Sequence, residues 1–285
     1  MFAQQLINGI VLGSIYALAA LGFTLIFGVA KVINFAYGEM LMLGAFLTLA
    51  FKELLPVDFF TALVLAMAAV GVLSTLIYQV TIRPVLRGSD LQALLVTTGL
   101  LYTLREAAIL IWGTAPRQLS MGVEGGIEIG EVFIPYQRLI VVAVTLGMII
   151  LLYVLLYRSR IGKALRAVAQ NPEGAVSIGL NVNRTVGFGF AVSGVLACAA
   201  GGLLGALYAV QPQMGGVPLL KSFVIVIFGG LGSIPGAIIG AMVIGLLETF
   251  AGAYISFAYK DVFAFVIMIV ILLYRPYGLL GVEQR

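Results

Sequence analysis

Histidine is absent from this sequence, cysteine and tryptophan occur once each, and only 10% of the 285 residues carry a charge. Without histidine the chain lacks the commonest metal ligand and the side chain that titrates most readily near neutrality. No nucleophile–base or metal-ligating constellation stands out, which argues against a membrane enzyme and predicts a protein without metal or cofactor. A GxxxxGK[ST] phosphate loop is missing too, so the chain is not expected to hydrolyse ATP itself. The lone Cys198 can form no internal disulfide, and in its Ala/Gly run it reads as a small packing residue. So low a charge content excludes an ordinary soluble domain, in which about a quarter of residues are charged. The first charged residue is Lys31. A start with no basic residue and a long apolar run does not fit a cleaved signal peptide, so the first apolar run is expected to remain as a span.

What is abundant is apolar. Hydrophobic residues make up 62% of the chain and the mean hydropathy is +1.14. Successive long, nearly uncharged runs predict an all-α polytopic membrane protein, because a bilayer offers backbone groups no water to bond. Spans are expected near 4–29, 36–51, 59–80, 92–112, 137–157, 186–210, 221–250 and 258–275, about eight in all. The whole chain, 1–285, reads as one membrane domain. Arg83 and Arg87 sit in one loop, and Arg158, Arg160, Lys163, Arg166 and Arg184 crowd another. Basic loops stay in the cytoplasm, so the connection 113–136, with Glu124, Glu128 and Glu131, lies outside, as does the N-terminus. The net charge of +4 is read as this topology bias and not as nucleic-acid binding.

Arg275 and Arg285 also prefer the cytoplasm, yet a single span over 221–250 would place them outside. The run "VIVIFGGLGSIPGAIIG" suggests a way out, since Gly229, Gly230, Gly232 and Pro235 interrupt it. Two forms fit: a re-entrant segment near 221–236, or a plain helix kinked by glycine. A second interruption is expected near 30–38, in "VAKVINFAYGEM". An internal echo links the two regions: "LGSIYAL" (12–18) resembles "LGALYAV" (204–210), and each precedes an "IFG". Paired broken segments in corresponding halves point to a translocation site.

The segment "RSRIGKALRAVAQNPEGAVSIGLNVNR" (158–184) is the one soluble-looking stretch. Ile161, Leu165 and Val168 share one face of a short helix, with Lys163, Arg166 and Gln170 on others. Asn171 caps a second helix with Pro172 at its first position, Glu173 in its first turn and Gly179 at its end. Ala175, Val176 and Ile178 give that helix an apolar side. This pair reads either as an interfacial element lying on anionic headgroups or as a surface that docks into a soluble partner.

Within the spans, Asn34 and Glu39 are expensive in hydrocarbon and call for a cavity or a partner. Glu39 pairs with Lys31 in one reading and faces a polar cavity in the other. Arg105 and Glu106 lie on adjacent faces of the fourth span and cannot pair well with each other, so each needs a neighbour; Glu248 is the candidate for Arg105. Thr24, Thr97 and Thr98 read as helix-packing hydroxyls, Thr97 with a possible pathway role beside Asn34 and Glu39. Gly229, Gly230, Gly232 and Ser233 would expose backbone groups to a passing zwitterion.

The segments "VINFAYGEMLMLGAF" (32–46), "ALRAVAQNPEGAVSIGLNVNR" (164–184), "IFGGLGSIPGA" (227–237), "YKDV" (259–262) and "RPYGLLG" (275–281) together resemble the Liv-type permeases of bacterial ABC importers for branched-chain amino acids, in order along essentially the whole chain. The resemblance implies a subunit of the bacterial inner membrane that pairs with a second, homologous permease. Two cytosolic ATP-binding subunits and a periplasmic binding protein would complete the assembly. It also assigns 158–184 as the coupling segment that docks into the ATPase. The chain departs from related patterns at two places. "AVAQNPEGA" lacks the Glu-Ala-Ala of other importer permeases, and Tyr37 stands where relatives commonly have histidine, which leaves the substrate open. An ion-coupled transporter of small polar solutes such as amides or urea is the other reading, resting on the carboxylates Glu39, Glu106 and Glu248.

Overall fold

The computed structural model describes residues 2–86, 88–130, 132–275 and 278–280. In chain order the elements are α1 (Phe2–Ala30), α2 (Tyr37–Leu54), α3 (Phe59–Ile77), a π-helical turn (Tyr78–Ile82), α4 (Arg83–Val85) and α5 (Asp90–Trp112). Then come β1 (Arg117–Gln118), β2 (Gly126–Ile129), β3 (Val132–Pro135), α6 (Tyr136–Arg158), α7 (Arg160–Gln170), α8 (Pro172–Ser177) and α9 (Val182–Leu207). The chain closes with β4 (Ala209–Val210), α10 (Gly216–Gly229), α11 (Ile234–Tyr254), a 3₁₀ turn and α12 (Lys260–Tyr274). The continuous helix Phe59–Val85 absorbs its π turn just before Pro84, which cannot donate to the carbonyl one turn back.

Among the described residues six helices are long and apolar enough to cross a membrane: α1, the Phe59–Val85 helix, α5, α6, α9 and α11. The single span expected over 221–250 is instead two helices, α10 and α11, separated at Gly230–Ser233. Gly230 and Gly232 both take positive φ (105° and 80°), a left-handed backbone that side chains rarely tolerate. Ser233 then caps α11 through Gly236 N at 3.2 Å. The turn lies at the inner end of the molecule, beside Thr24, Arg166 and Ala169, and not near the membrane middle as the apolar run suggests. The extra reversal resolves the conflict over the C-terminus. Counting α10 and α11 separately brings Arg275 to the inner end, where Leu279 N and Leu280 N donate to Phe228 O and Gly229 O. Arg285 lies outside the described residues.

The core is built on α1 and α9. Helix α1 runs antiparallel to α11, with Gly9 and Gly13 facing Gly245, Ala241 and Met242; a Cβ on Gly245 would lie 2.5 Å from the Gly13 backbone. Helix α9 runs antiparallel to α3 through Gly187, Gly194 and Gly202, which meet Tyr78, Ser74 and Leu63. Small residues let helices approach where no hydrophobic effect drives them together. Cys198 is fully buried with its Cα against Gly44, as a packing residue should be.

The order long helix, interruption, short helix, long helix occurs twice: α1, 31–36, α2, α3 and again α9, 208–215, α10, α11. The two copies run in opposite directions across the membrane. The "LGSIYAL" echo does not mark this repeat. It sits in the middle of α1 in one copy and at the end of α9 in the other, and the "IFG" pair ends α1 and α10.

Candidate translocation site

Helix α1 ends at Ala30, and Lys31 takes a positive φ of 54°. The chain then returns into the membrane as an extended segment. Asn34, 5% exposed, organises it: its Oδ1 accepts from Ala36 N at 3.1 Å and its carbonyl accepts from Tyr37 N at 3.2 Å. Thr97 donates to Ile33 O at 3.4 Å from the neighbouring α5. Tyr37 opens α2 at the depth of the middle of α1, where its hydroxyl donates to Ala19 O at 2.6 Å. The large, fully buried tyrosine carries its own hydrogen bond, so its burial leaves no orphan donor.

The second interruption comes from the opposite side. After α9, residues 209–210 pair antiparallel with 117–118 of the outer loop. "QPQMG" (211–215) then turns inward, with Met214 N on Gln211 O at 3.0 Å. Gly215 meets Gly38 backbone to backbone: a Cβ on Gly38 would lie 2.6 Å from Gly215 O. The positive ends of α2 and α10 therefore converge near the middle of the bundle.

A carboxylate and a guanidinium occupy this junction. Glu39, in the first turn of α2, accepts from Arg105 Nη2 of α5 at 2.7 Å. The Glu39 side chain is 1% exposed and that of Arg105 22% exposed. Among the described residues, Glu39 Oε2 and Arg105 Nε have no hydrogen-bond partner. Arg105 also borders the start of α10 at Gly216. Neither pairing expected from sequence occurs: Glu39 does not pair with Lys31, nor Arg105 with Glu248. Lys31 sits at the inner end of α1, whereas the 31–36 return lifts Glu39 away from it and toward α5.

Glu248 belongs to a separate group. Its carboxylate accepts from the Tyr16 hydroxyl at 3.0 Å and lies 3.1 Å from Lys221 Nζ and 3.5 Å from Lys260 Nζ. Lys221 lies 2.8 Å from Asp261 as well, within ion-pair range of both acids but aligned for a hydrogen bond to neither. Two lysines and two carboxylates leave the group formally neutral. It ties α1, α10, α11 and α12 together. Sequence reading placed Lys221 at the edge of a span and so missed it; the signal was a lysine five residues beyond the Gly215-Gly216 pair in an otherwise apolar run.

The remaining expected residues are not gathered at the junction. Glu106 is exposed on α5 and makes no ion pair among the described residues. Much of α5 shares that exposure, Leu95, Tyr102, Leu110 and Ile111 included. Gly229, Gly230, Gly232 and Ser233 form the inner turn, where Gly229 abuts Gly236. Thr24 and Thr98 donate to carbonyls one turn back in their own helices.

At the inner face Ser159, Asn171 and Asn181 cap α7, α8 and α9 through Gly162 N, Gly174 N and Arg184 N, at 2.9, 2.9 and 3.0 Å. Gly162 packs onto the carbonyls of Leu155 and Leu156, leaving no room for a side chain. Leu165 and Val168 are buried while Ile161 is exposed, so the apolar stripe is narrower than expected. Arg166 lies over the Tyr157 ring at 4.7 Å, and Ala175 is buried within the chain, so neither is fully presented outward. Lys163, Gln170, Asn171, Glu173 and Gly179 are exposed, as are Val176 (60%) and Ile178 (73%).

Two half-crossing helices meeting head to head inside a glycine-packed helical bundle, with a charged pair at their junction, define a membrane transport protein. The family described as "Branched-chain amino acid transport system / permease component" matches residues 5–272, and the chain belongs to it. It is 33% identical to the high-affinity branched-chain amino acid transport permease BraD of Pseudomonas aeruginosa, over 98% of this chain and 96% of that one. Identity to the corresponding LivH of Escherichia coli is 34% over the same shares. An archaeal relative, the probable branched-chain amino acid permease LivH of Methanocaldococcus jannaschii, is 29% identical over 98% of this chain and 92% of its own. Among solved structures, PsaBC from Streptococcus pneumoniae shares the fold, with a TM-score of 0.50 and 16% identity over 94% of this chain and 89% of that one.

Proposed function

We propose that this chain, acting as one membrane domain, forms half of the pathway of an ATP-driven importer for branched-chain amino acids in a bacterial inner membrane. A second, homologous permease supplies the other half, two cytosolic subunits hydrolyse ATP, and a binding protein delivers substrate from outside. The observation that carries the ATP-driven part is the α7–α8 hairpin. It is capped at each helix start, clamped to α6 through Gly162, and presents Val176 and Ile178 to the cytoplasmic side beside Glu173. An exposed apolar tip on a rigid base suits insertion into a groove of a soluble partner. The lipid-surface alternative is less well served, because Lys163 and Arg166 do not share the tip. Exposure of α5, with Glu106 in a span, supports a wet or protein-lined neighbour on that side and fits the second permease. The paired state of Glu39 and Glu248 weakens the ion-coupled alternative, leaving it Glu106 as its one unpaired intramembrane carboxylate among the described residues.

The test is uptake and co-purification. Gentle solubilisation is expected to bring an ATP-binding protein with the wild-type chain and to lose it in Ile178→Glu. Leucine uptake should stop on ATP depletion and survive an uncoupler. A chain that purifies alone, with uptake abolished by the uncoupler, would select the ion-coupled transporter instead.

A further inference from the structure

We infer that the Glu39–Arg105 pair is the receptor for the charged head of the substrate. An entering α-amino acid would exchange with the pair, its carboxylate taking Arg105 and its ammonium taking Glu39. The inference rests on the amino-acid reading above and deepens it.

Three observations converge. First, the pair has spare capacity on both sides: Glu39 Oε2 is an acceptor without a donor and Arg105 Nε a donor without an acceptor. Buried polar atoms are ordinarily satisfied, so one orphan of each kind on a single ion pair marks a place for a ligand bearing both. A zwitterion's ammonium and carboxylate supply that complement. Second, the burial is asymmetric. Glu39 is 1% exposed at the base and Arg105 22% exposed at the mouth, on the helix whose outer face is open. A substrate reaching the site along α5 meets the guanidinium first. Third, the site carries two helix N-termini, α2 at Tyr37 and α10 at Gly216. One carboxylate, Glu39, faces these two positive ends and one guanidinium, so a second carboxylate meets a favourable field. The Lys221–Asp261 pair also carries one orphan of each kind, but it belongs to the second group, on α1, α10, α11 and α12, where Glu248 and Lys260 already supply a further carboxylate and ammonium.

A purely structural pair that pins α5 to α2 predicts the same loss of uptake on mutation, so the experiment separates the two. The whole importer is assembled in vesicles with its binding protein, and leucine uptake and ATP hydrolysis are read together for wild type, Glu39→Gln and Arg105→Lys. Glu39→Gln still accepts from Arg105 and Arg105→Lys still pairs with Glu39, so α5 stays attached. The receptor predicts uptake reduced on the order of ten- to a hundredfold, the range for a lost charged hydrogen bond, while stimulation of ATP hydrolysis by the loaded binding protein persists. Uptake within about twofold of wild type in both variants overturns the inference, as does a parallel loss of uptake and ATP hydrolysis in an intact assembly. Should either variant fail to assemble, the wild-type complex without binding protein decides. Millimolar leucine raises its unfolding temperature, whereas 4-methylpentanoate and leucinamide, each lacking one charge, do not. Equal shifts from all three, or none from leucine, overturn the inference. If the wild-type assembly does not import leucine at all, the amino-acid reading itself has failed.

Discussion

Replacing Lys221 with methionine tests whether the second polar group is a balanced unit or a set of independent contacts. In the native chain Lys221 and Lys260 face Glu248 and Asp261, two charges of each sign. Lys221→Met leaves two carboxylates to one ammonium, and the 2%-exposed Glu248 keeps only Lys260 at 3.5 Å and the Tyr16 hydroxyl at 3.0 Å. Breaking a buried pair by removing one partner costs about 3–5 kcal/mol. Because Glu248 retains two partners and Asp261 is 42% exposed, the lower end, about 3 kcal/mol, applies here. Glu248→Met alone should cost a similar amount, because it leaves Lys221 and Lys260, two ammonium groups, with Asp261 as the one remaining acid. The double variant, however, restores neutrality with Lys260 beside Asp261 and two apolar side chains in the interior. It should therefore be more stable than Lys221→Met by about 1–2 kcal/mol, a non-additivity that only coupled charges produce. Reversible unfolding in mixed micelles, followed by circular dichroism, reads all four members of the cycle. A double variant less stable than either single one, with costs that simply add, would refute the reasoning.

Gly201→Ala puts a methyl into the Leu41 carbonyl and should destabilise by about 1–3 kcal/mol through overpacking, whereas Gly147→Ala, with open space at the same position, should be neutral or better; thermal unfolding of the two separates them. Cys198, fully buried, should resist maleimide in the folded protein and react on unfolding in detergent; fast labelling of the native state would contradict the packing of α2 on α9. The Thr61 hydroxyl and the Phe60 and Thr61 amides hold the Asp58 carboxyl below its ordinary range. A lowered folded value means the cap on α3 is complete above the unfolded value and fades as pH falls through the folded one. Asp58→Asn should accordingly flatten the acid limb of the stability profile, and an unchanged limb would remove Asp58 as a contributor.

Much of the fold was legible because bilayer physics leaves few choices. The apolar runs became helices within a few residues of the expected ends, and α1, α3, α5 and α6 fall close to their predicted ranges. The capping residues Asn171 and Gly179 were readable for the same local reason: each side chain, or its absence, acts on backbone within four residues. Failures cluster where the partner is remote in sequence. No local pattern pairs Arg105 with Glu39, sixty-six positions away, or Lys221 with Asp261. The expected spans leave 211–220 unassigned, and only contact with Gly38 reveals the depth of the inward turn at 211–215. Gly229–Ser233 invited the opposite error. Glycine marks a break but not its level in the membrane.

The two kinds of contact in this molecule do different work. Along α1–α11, α2–α9 and α3–α9 the glycine seams bring helices together with no space for even a methyl at Gly245, Gly44, Gly194 or Gly201. Interfaces packed to that density do not slide by small steps, so α1, α2, α3, α9 and α11 behave as one block. Gly162 joins α7 to the end of α6 in the same way, and Leu165 reaches Gly189 of α9. Under the proposed docking, a load applied at Val176 and Ile178 would pass through these contacts into the block. Helix α5 is different: it touches the block mainly along α2, and its strongest tie there is the single ion pair of Arg105 with Glu39. That tie sits on the junction of the two half-helices. Under the proposed docking, a block moved from the cytoplasmic side against α5 would connect the position of the hairpin to the state of the Glu39–Arg105 pair, without any side chain of the hairpin approaching it.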